Sequence, residues 1–141
     1  FGLNLSGTYL TQFKTNQTPA APAVNQLNQI FQPLKFKLRG SVNWEKGPFT
    51  LGLRATHLNG YTNIAVTPNQ QVASYTPVDL SLTWKTGEEH QLTFGVEVRN
   101  LFDIKPPYVN IAPSVNGSGG YDATTSDPIG RTISASARVK W

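Results

Sequence analysis

The chain has 141 residues, a formal charge of +4, 38% hydrophobic residues and only 14% charged ones, the last well under the roughly 25% usual in soluble domains. No apolar run approaches the ~20 residues of a transmembrane helix, which excludes a helical membrane protein. The lack of cysteine excludes a disulfide framework, thiol chemistry and thiolate metal sites. Phe1 opens in mid-pattern, with no methionine and no signal peptide, so the chain is expected to be a piece of something longer.

Two-residue alternation, the mark of a strand with one apolar and one polar face, is predicted six times. The first stretch, Phe1 to Phe13, aligns Phe1, Leu3, Leu5, Tyr9 and Phe13. The second, Leu34 to Glu45, sets Leu34, Phe36, Leu38, Val42 and Trp44 against Lys35, Lys37, Arg39, Asn43 and Glu45. The third, Phe49 to about Asn59, alternates Phe49, Leu51, Leu53 and Ala55 with Thr50, Gly52, Arg54 and Thr56. The fourth carries Val78, Leu80, Leu82 and Trp84; the fifth carries Leu92, Phe94, Val96 and Val98. The sixth runs Ile133, Ala135, Ala137, Val139 and Trp141 to the last residue. A 3.6-residue stripe is conceivable only within Asn25–Phe31.

Short turns (Lys46-Gly47-Pro48 and Thr86-Gly87-Glu88-Glu89) alternate with long links at Thr15–Pro33, Gly60–Pro77 and Asp103–Pro128. In a compact soluble domain such long structureless loops argue against the assignment, whereas short turns on one rim and long loops on the other are the habit of outer-membrane barrels. Lys35, Lys37, Arg39, Glu45, Arg54, Asp79, Lys85, Glu97, Arg99, Arg138 and Lys140 all fall in the polar phase. A lipid-facing Arg or Lys near the bilayer midplane costs about 2–4 kcal/mol, enough to enforce that segregation. Tyr9, Phe13, Phe36, Trp44, Phe49, Trp84 and Trp141 lie towards strand ends, where aromatic girdles belong. The expected class is therefore all-β, an antiparallel transmembrane β-barrel fragment. A soluble β-sandwich also alternates, but leaves the loops, the low charge and the terminal Trp141 unexplained.

Asn100-Leu101-Phe102-Asp103, followed by Lys105-Pro106-Pro107, resembles the segment near the end of TonB-dependent outer-membrane receptors. So do Gly120-Tyr121-Asp122, the run Ser126-Asp127-Pro128-Ile129-Gly130-Arg131, the opening Asp79-Leu80-Ser81-Leu82 and the turn Trp44-Glu45-Lys46-Gly47-Pro48. The resemblance spans the chain and is strongest over 78–141. It implies that residues 1–141 are the last six strands of a barrel of about 22 strands with a plugged lumen, the plug domain being absent here. It further implies active uptake of a scarce solute (siderophore-iron, cobalamin or oligosaccharide), energy delivered by TonB-ExbB-ExbD through the missing N-terminal regions, and a place in the bacterial outer membrane. Six strands alone are not expected to transport. The last strand, with Val139 and Trp141, is implied to be the signal read by the barrel-assembly machinery, although the family usually ends in Phe. Trp141 would then mark the periplasmic rim, with the long loops facing outward.

Lys35, Lys37, Arg39, Arg54 and Arg99 are candidate lumen-facing cations that attract an anionic solute or pair with Glu45, Asp79, Glu97 or plug carboxylates. Asn100–Asp103 is read first as a strand-ending turn in which Asn and Asp satisfy local backbone while Leu101 and Phe102 pack. His57 falls in the apolar phase near the loop rim, and His90 follows Glu88-Glu89 in a turn. No catalytic residue, cofactor or metal is expected: no nucleophile elbow accompanies the histidines, and Gly117-Ser118-Gly119-Gly120 lacks the Lys-Ser/Thr of a phosphate loop. Asp122 and Asp127 suit turns better than calcium. Asn16-Gln17-Thr18 and Asn116-Gly117-Ser118 match the glycosylation pattern, which carries little meaning on a bacterial surface. A passive porin would share the strand pattern. Nucleic-acid binding needs basic and aromatic residues on one face, and here they alternate to opposite faces.

Overall fold

The computed structural model describes residues 1–16, 18–87, 91–112 and 119–140. Its strands are β1 (Gly2–Tyr9), β2 (Lys14–Thr15), β3 (Val24–Asn25), β4 (Phe36–Lys46), β5 (Phe49–Leu58), β6 (Tyr61–Asn63), β7 (Gln70–Val72), β8 (Val78–Thr86), β9 (Gln91–Arg99) and β10 (Thr132–Lys140). Six of them form one antiparallel sheet in the order β1-β4-β5-β8-β9-β10, so each long strand lies beside its predecessor. Lengths of 8 to 11 residues suit a tilted crossing of a bilayer core. The sheet is open, with β1 and β10 at its edges.

Register joins the alternations of separate strands into two continuous faces. Rows such as Val42, Leu53, Leu80, Val98, Ile133 and Trp44, Leu51, Leu82, Val96, Ala135 run across the sheet on one side. That side is not covered: Leu3, Leu5, Ile133 and Val139 are all more than half exposed. A β-sandwich would bury these residues under a second sheet. Here the apolar side has no covering layer.

Aromatic residues mark both rims. At the turn rim Trp84 stacks on Phe94 with centroids 5.7 Å apart, and Trp84 also opposes Phe49. At the loop rim Phe36 opposes Tyr9 and lies 5.9 Å from the His57 ring. Two girdle residues need correction or fall away. Phe13 has left the sheet, its N–H donating to Asn25 Oδ1 at 3.1 Å beside the β2–β3 hairpin, and Trp141 lies outside the described residues. Lys46, expected in the turn, is the last residue of β4 and opposes Phe49 in the apolar phase. At the end of a strand its long stem lets the ammonium reach the interface.

The true core lies in the loops. Ile30, Leu34, Tyr61, Val72 and Val109 form the buried cluster, with Leu58 and Ile111 packed against it. Leu34, expected on the apolar face of the second strand, is instead 2% exposed inside this cluster. The helix conceivable at Asn25–Phe31 does not form: Asn28 and Phe31 hold φ of 64° and 59°, which breaks a right-handed helix. The Asn28 N–H then donates to Pro33 O at 2.9 Å, closing a turn.

Candidate functional site

The polar face of the sheet is the side a barrel turns to its lumen. Its middle is low: Ser41, Asn43, Gly52, Ser81, Thr83, Gly95, Ser134 and Ser136 meet across the strands. A Cβ at Gly52 would come within 2.5 Å of Ser81 Oγ and 3.2 Å of Asn43 Oδ1, so this position admits no side chain without displacing its neighbours.

Four of the five candidate cations stand on this face. Arg54 sits directly opposite Asp79, and Arg99 Nε contacts Glu97 Oε1 at 3.4 Å. Wall carboxylates thus accompany both. Lys37 is flanked by Thr8 and Leu58, and Arg39 by Ser6 and Thr56. No acid opposes either of them, and among the described residues no ion pair involves them or Arg54. Together with Ser6, Thr8 and Thr56 they line an open trough of about 390 Å³. The fifth cation departs: Lys35 precedes β4, and its Nζ lies 5.6 Å from the ring centroid of Tyr9, at the apolar-phase rim.

Asn100–Asp103 ends β9 and starts the longest link. Asn100 and Asp103 hold φ of 50° and 53°, conformations that Asn and Asp tolerate better than most residues. The Asn100 side chain imitates a backbone pair, donating from Nδ2 to Ile104 O and accepting Ile104 N–H at Oδ1, both at 2.9 Å. Its own N–H donates to Asp79 Oδ1 at 3.0 Å, and Leu101 N–H continues the ladder to Val78 O at 2.7 Å. The turn reading therefore holds for Asn100, whereas the Asp103 carboxylate accepts the distant Arg131 N–H at 2.8 Å instead of local backbone. The reading fails for Phe102, which is 66% exposed at the loop rim rather than packed. Pro106 and Pro107 follow in backbone without regular structure, leading to Tyr108 and Val109.

The long links are not structureless, which sequence reasoning missed. β2–β3 and β6–β7 are short hairpins. Ile30 N–H donates to Thr62 O, and Thr62 N–H to Asn28 O, each at 3.0 Å, so the first link lies against the second. Asn63, fully buried, donates to Asn110 O at 3.0 Å, and Gln70 Nε2 donates to Tyr108 O at 3.1 Å, which pins the third link. The signal was present as Asn and Gln among scattered apolar residues, but it has no period.

Asp122 is 1% exposed. Its Oδ1 accepts Thr124 N–H at 2.9 Å and Thr124 Oγ1–H at 2.6 Å, a turn role. Asp127 Oδ1 likewise accepts Ile129 N–H at 3.0 Å. Neither Asp122 Oδ2 nor the buried Tyr61 hydroxyl completes a hydrogen bond of standard geometry. Burial pushes the Tyr61 phenol well above its ordinary value; the Thr125 hydroxyl opposes this and the nearby Asp122 carboxylate adds to it. His57 shares a 2.8 Å hydrogen bond between Nδ1 and Thr76 Oγ1, an interfacial placement. Among the described residues no three His, Asp or Glu gather as metal ligands. Gln17, Glu88, Glu89, His90, Asn116, Gly117, Ser118 and Trp141 lie outside the described residues, so the turn, sequon and terminal readings that use them have no structural counterpart here.

The sequence matches the family described as TonB dependent receptor-like, beta-barrel, over residues 1–101. No curated protein and no solved structure matches the chain. The chain belongs to that TonB-dependent receptor barrel family. The matched span takes in β1 to β9 and stops within Asn100–Asp103, so β10 and the third link stand outside it.

Proposed function

We propose that this chain is a C-terminal sector of an outer-membrane receptor that takes up a scarce solute with energy delivered through TonB, and that Lys37 and Arg39 line its path. The observation that carries this reading is the contrast between the four cations of the lumenal face. Arg54 and Arg99 stand beside wall carboxylates. Lys37 and Arg39 stand among hydroxyls of Ser6, Thr8 and Thr56. Two cations ringed by hydroxyl donors offer an anion both charge and hydrogen bonds, which favours an anionic solute such as a siderophore-iron complex over an oligosaccharide.

In this reading the apolar face meets outer-membrane lipid, a plug domain fills the lumen, and TonB-ExbB-ExbD act through regions upstream of these residues. Val139, on the lipid face opposite Leu92, and Trp141 supply the assembly signal. The test is uptake by the full-length receptor. Replacing both Lys37 and Arg39 with Gln is expected to weaken uptake of an anionic solute about tenfold or more and to flatten its salt dependence. Arg54→Gln is expected to have the smaller effect on solute affinity. Equal losses from both substitutions would support plug pairing instead, and unchanged uptake from the double substitution would remove Lys37 and Arg39 from the path.

A further inference from the structure

Two of the five strand pairings in the sheet, β4–β5 and β8–β9, are joined by short connections. β4 and β5 are joined by the tight Lys46-Gly47-Pro48-Phe49 turn, which leaves no slack. β10 has no such help: it follows β9 only after the long link that starts at Asn100. Its alternation cannot fix it either. A one-residue slip would expose polar side chains to lipid and is excluded, but a two-residue slip preserves both faces. The middle of β10 is Ser134, Ala135, Ser136 and Ala137, side chains too small and too alike to penalise such a slip.

A separate contact sits where the slip would have to begin. Asp103 Oδ1 accepts the N–H of Arg131 at 2.8 Å across 28 positions of sequence. Arg131 Nη1 reaches back to Leu101 O at 3.4 Å. Asp103 is itself tied by its N–H to Asn100 O at 2.8 Å, and Asn100 is locked to Ile104 on both sides of its amide. Gly130 holds φ of 76°, and a Cβ there would come within 2.9 Å of Asp103 Oδ1. The next residue after Arg131 is Thr132, already opposite Arg99.

We infer that Asp103 is a positioning residue that sets the register of β10 on β9 by gripping the backbone immediately before the strand begins. The grip works because Asp103 and Arg99 belong to the same rigid strand end. Holding Arg131 at Asp103 places Thr132 at Arg99 and therefore every later pair. A two-residue slip would carry Arg131 one full pleat repeat, about 6–7 Å, away from the carboxylate.

The test uses the full-length receptor with cysteine pairs on the lumenal face. Glu97→Cys with Ser134→Cys reports the observed register, and Glu97→Cys with Ser136→Cys or Thr132→Cys reports slips in either direction. With Asp103 intact, the 97–134 disulfide is expected to dominate. Asp103→Ala is expected to raise the slipped disulfides relative to it about tenfold, as loss of a charge-assisted hydrogen bond implies. Asp103→Asn keeps an acceptor oxygen and is expected to restore the native pair. If Asp103→Ala prevents assembly, recovery of the heat-resistant barrel by Asp103→Asn supports the same positioning role. The inference is overturned if Asp103→Ala leaves the disulfide pattern and assembly unchanged, or if Asp103→Asn behaves like Asp103→Ala.

Discussion

The sheet and the loop cluster obey opposite rules of burial. On the sheet, the large apolar side chains are exposed and no layer covers them. In the loops, Leu34, Tyr61, Val72 and Val109 are hidden, and amide side chains satisfy the irregular backbone around them. The comparison separates two ways of handling apolar side chains. The uncovered face, proposed to meet lipid, has only to keep its phase. The loop cluster must build its own interior and satisfy most of its buried polar groups.

Truncation of a buried side chain separates the two regions most sharply. Leu34→Ala is expected to cost the loop cluster about 2–5 kcal/mol through lost burial and a residual cavity, read as faster amide exchange in residues 28–34 and 61–72. Leu82→Ala on the sheet, where lipid chains can fill the gap, is expected to cost much less in a reversible unfolding titration in bilayers. Comparable losses would erase the distinction. The reverse experiment introduces charge. Val96→Arg, in the middle of the apolar face, is expected to cost about 2–4 kcal/mol in the bilayer and to leave loop exchange unchanged.

A finer probe is alkaline pH. Burial keeps Tyr61 protonated in the folded cluster, and Tyr75 is raised for the same leading reason. An unfolded tyrosine ionises near 10.0. The stabilisation is therefore complete below about pH 10 and is lost as the pH climbs beyond it. Protease nicking of the loops is expected to rise above that pH in the native receptor, less in Tyr61→Phe, and least when Tyr75→Phe is added. At neutral pH Tyr61→Phe is expected to have the smallest effect of these changes, because the buried ring is kept.

How much of this was legible in the sequence follows from the same contrast. The six long strands were readable because a two-faced sheet follows one simple rule, a period of two with charges almost confined to one phase. Strand edges moved where that rule weakens at the rims, by one residue at Lys46 and by four at the first strand, which ends at Tyr9 and not at Phe13. Leu34 was misplaced because it continues the alternation of β4 while its backbone has already turned into the loop cluster. The cluster itself was invisible: its hydrogen bonds join Asn28 to Gly60 and Asn63 to Asn110, separations that no local pattern records. Of the candidate cations, all were read from phase alone; register then set Asp79 opposite Arg54, while Arg99 meets Glu97 of its own strand, and neither happens at Lys37 or Arg39. Asn100 and Asp103 stood out as a motif, but the partner of Asp103, Arg131, could be found only in three dimensions.

The low middle of the lumenal face has a mechanical side. Gly52 meets Ser81, and Gly95 meets Ser136, so the wall carries short hydroxyls there beside the longer Glu97 and Arg54. Within the proposed uptake path such a band would keep the bore wide, and a single added methyl at Gly52, 2.5 Å from Ser81 Oγ, would begin to narrow it.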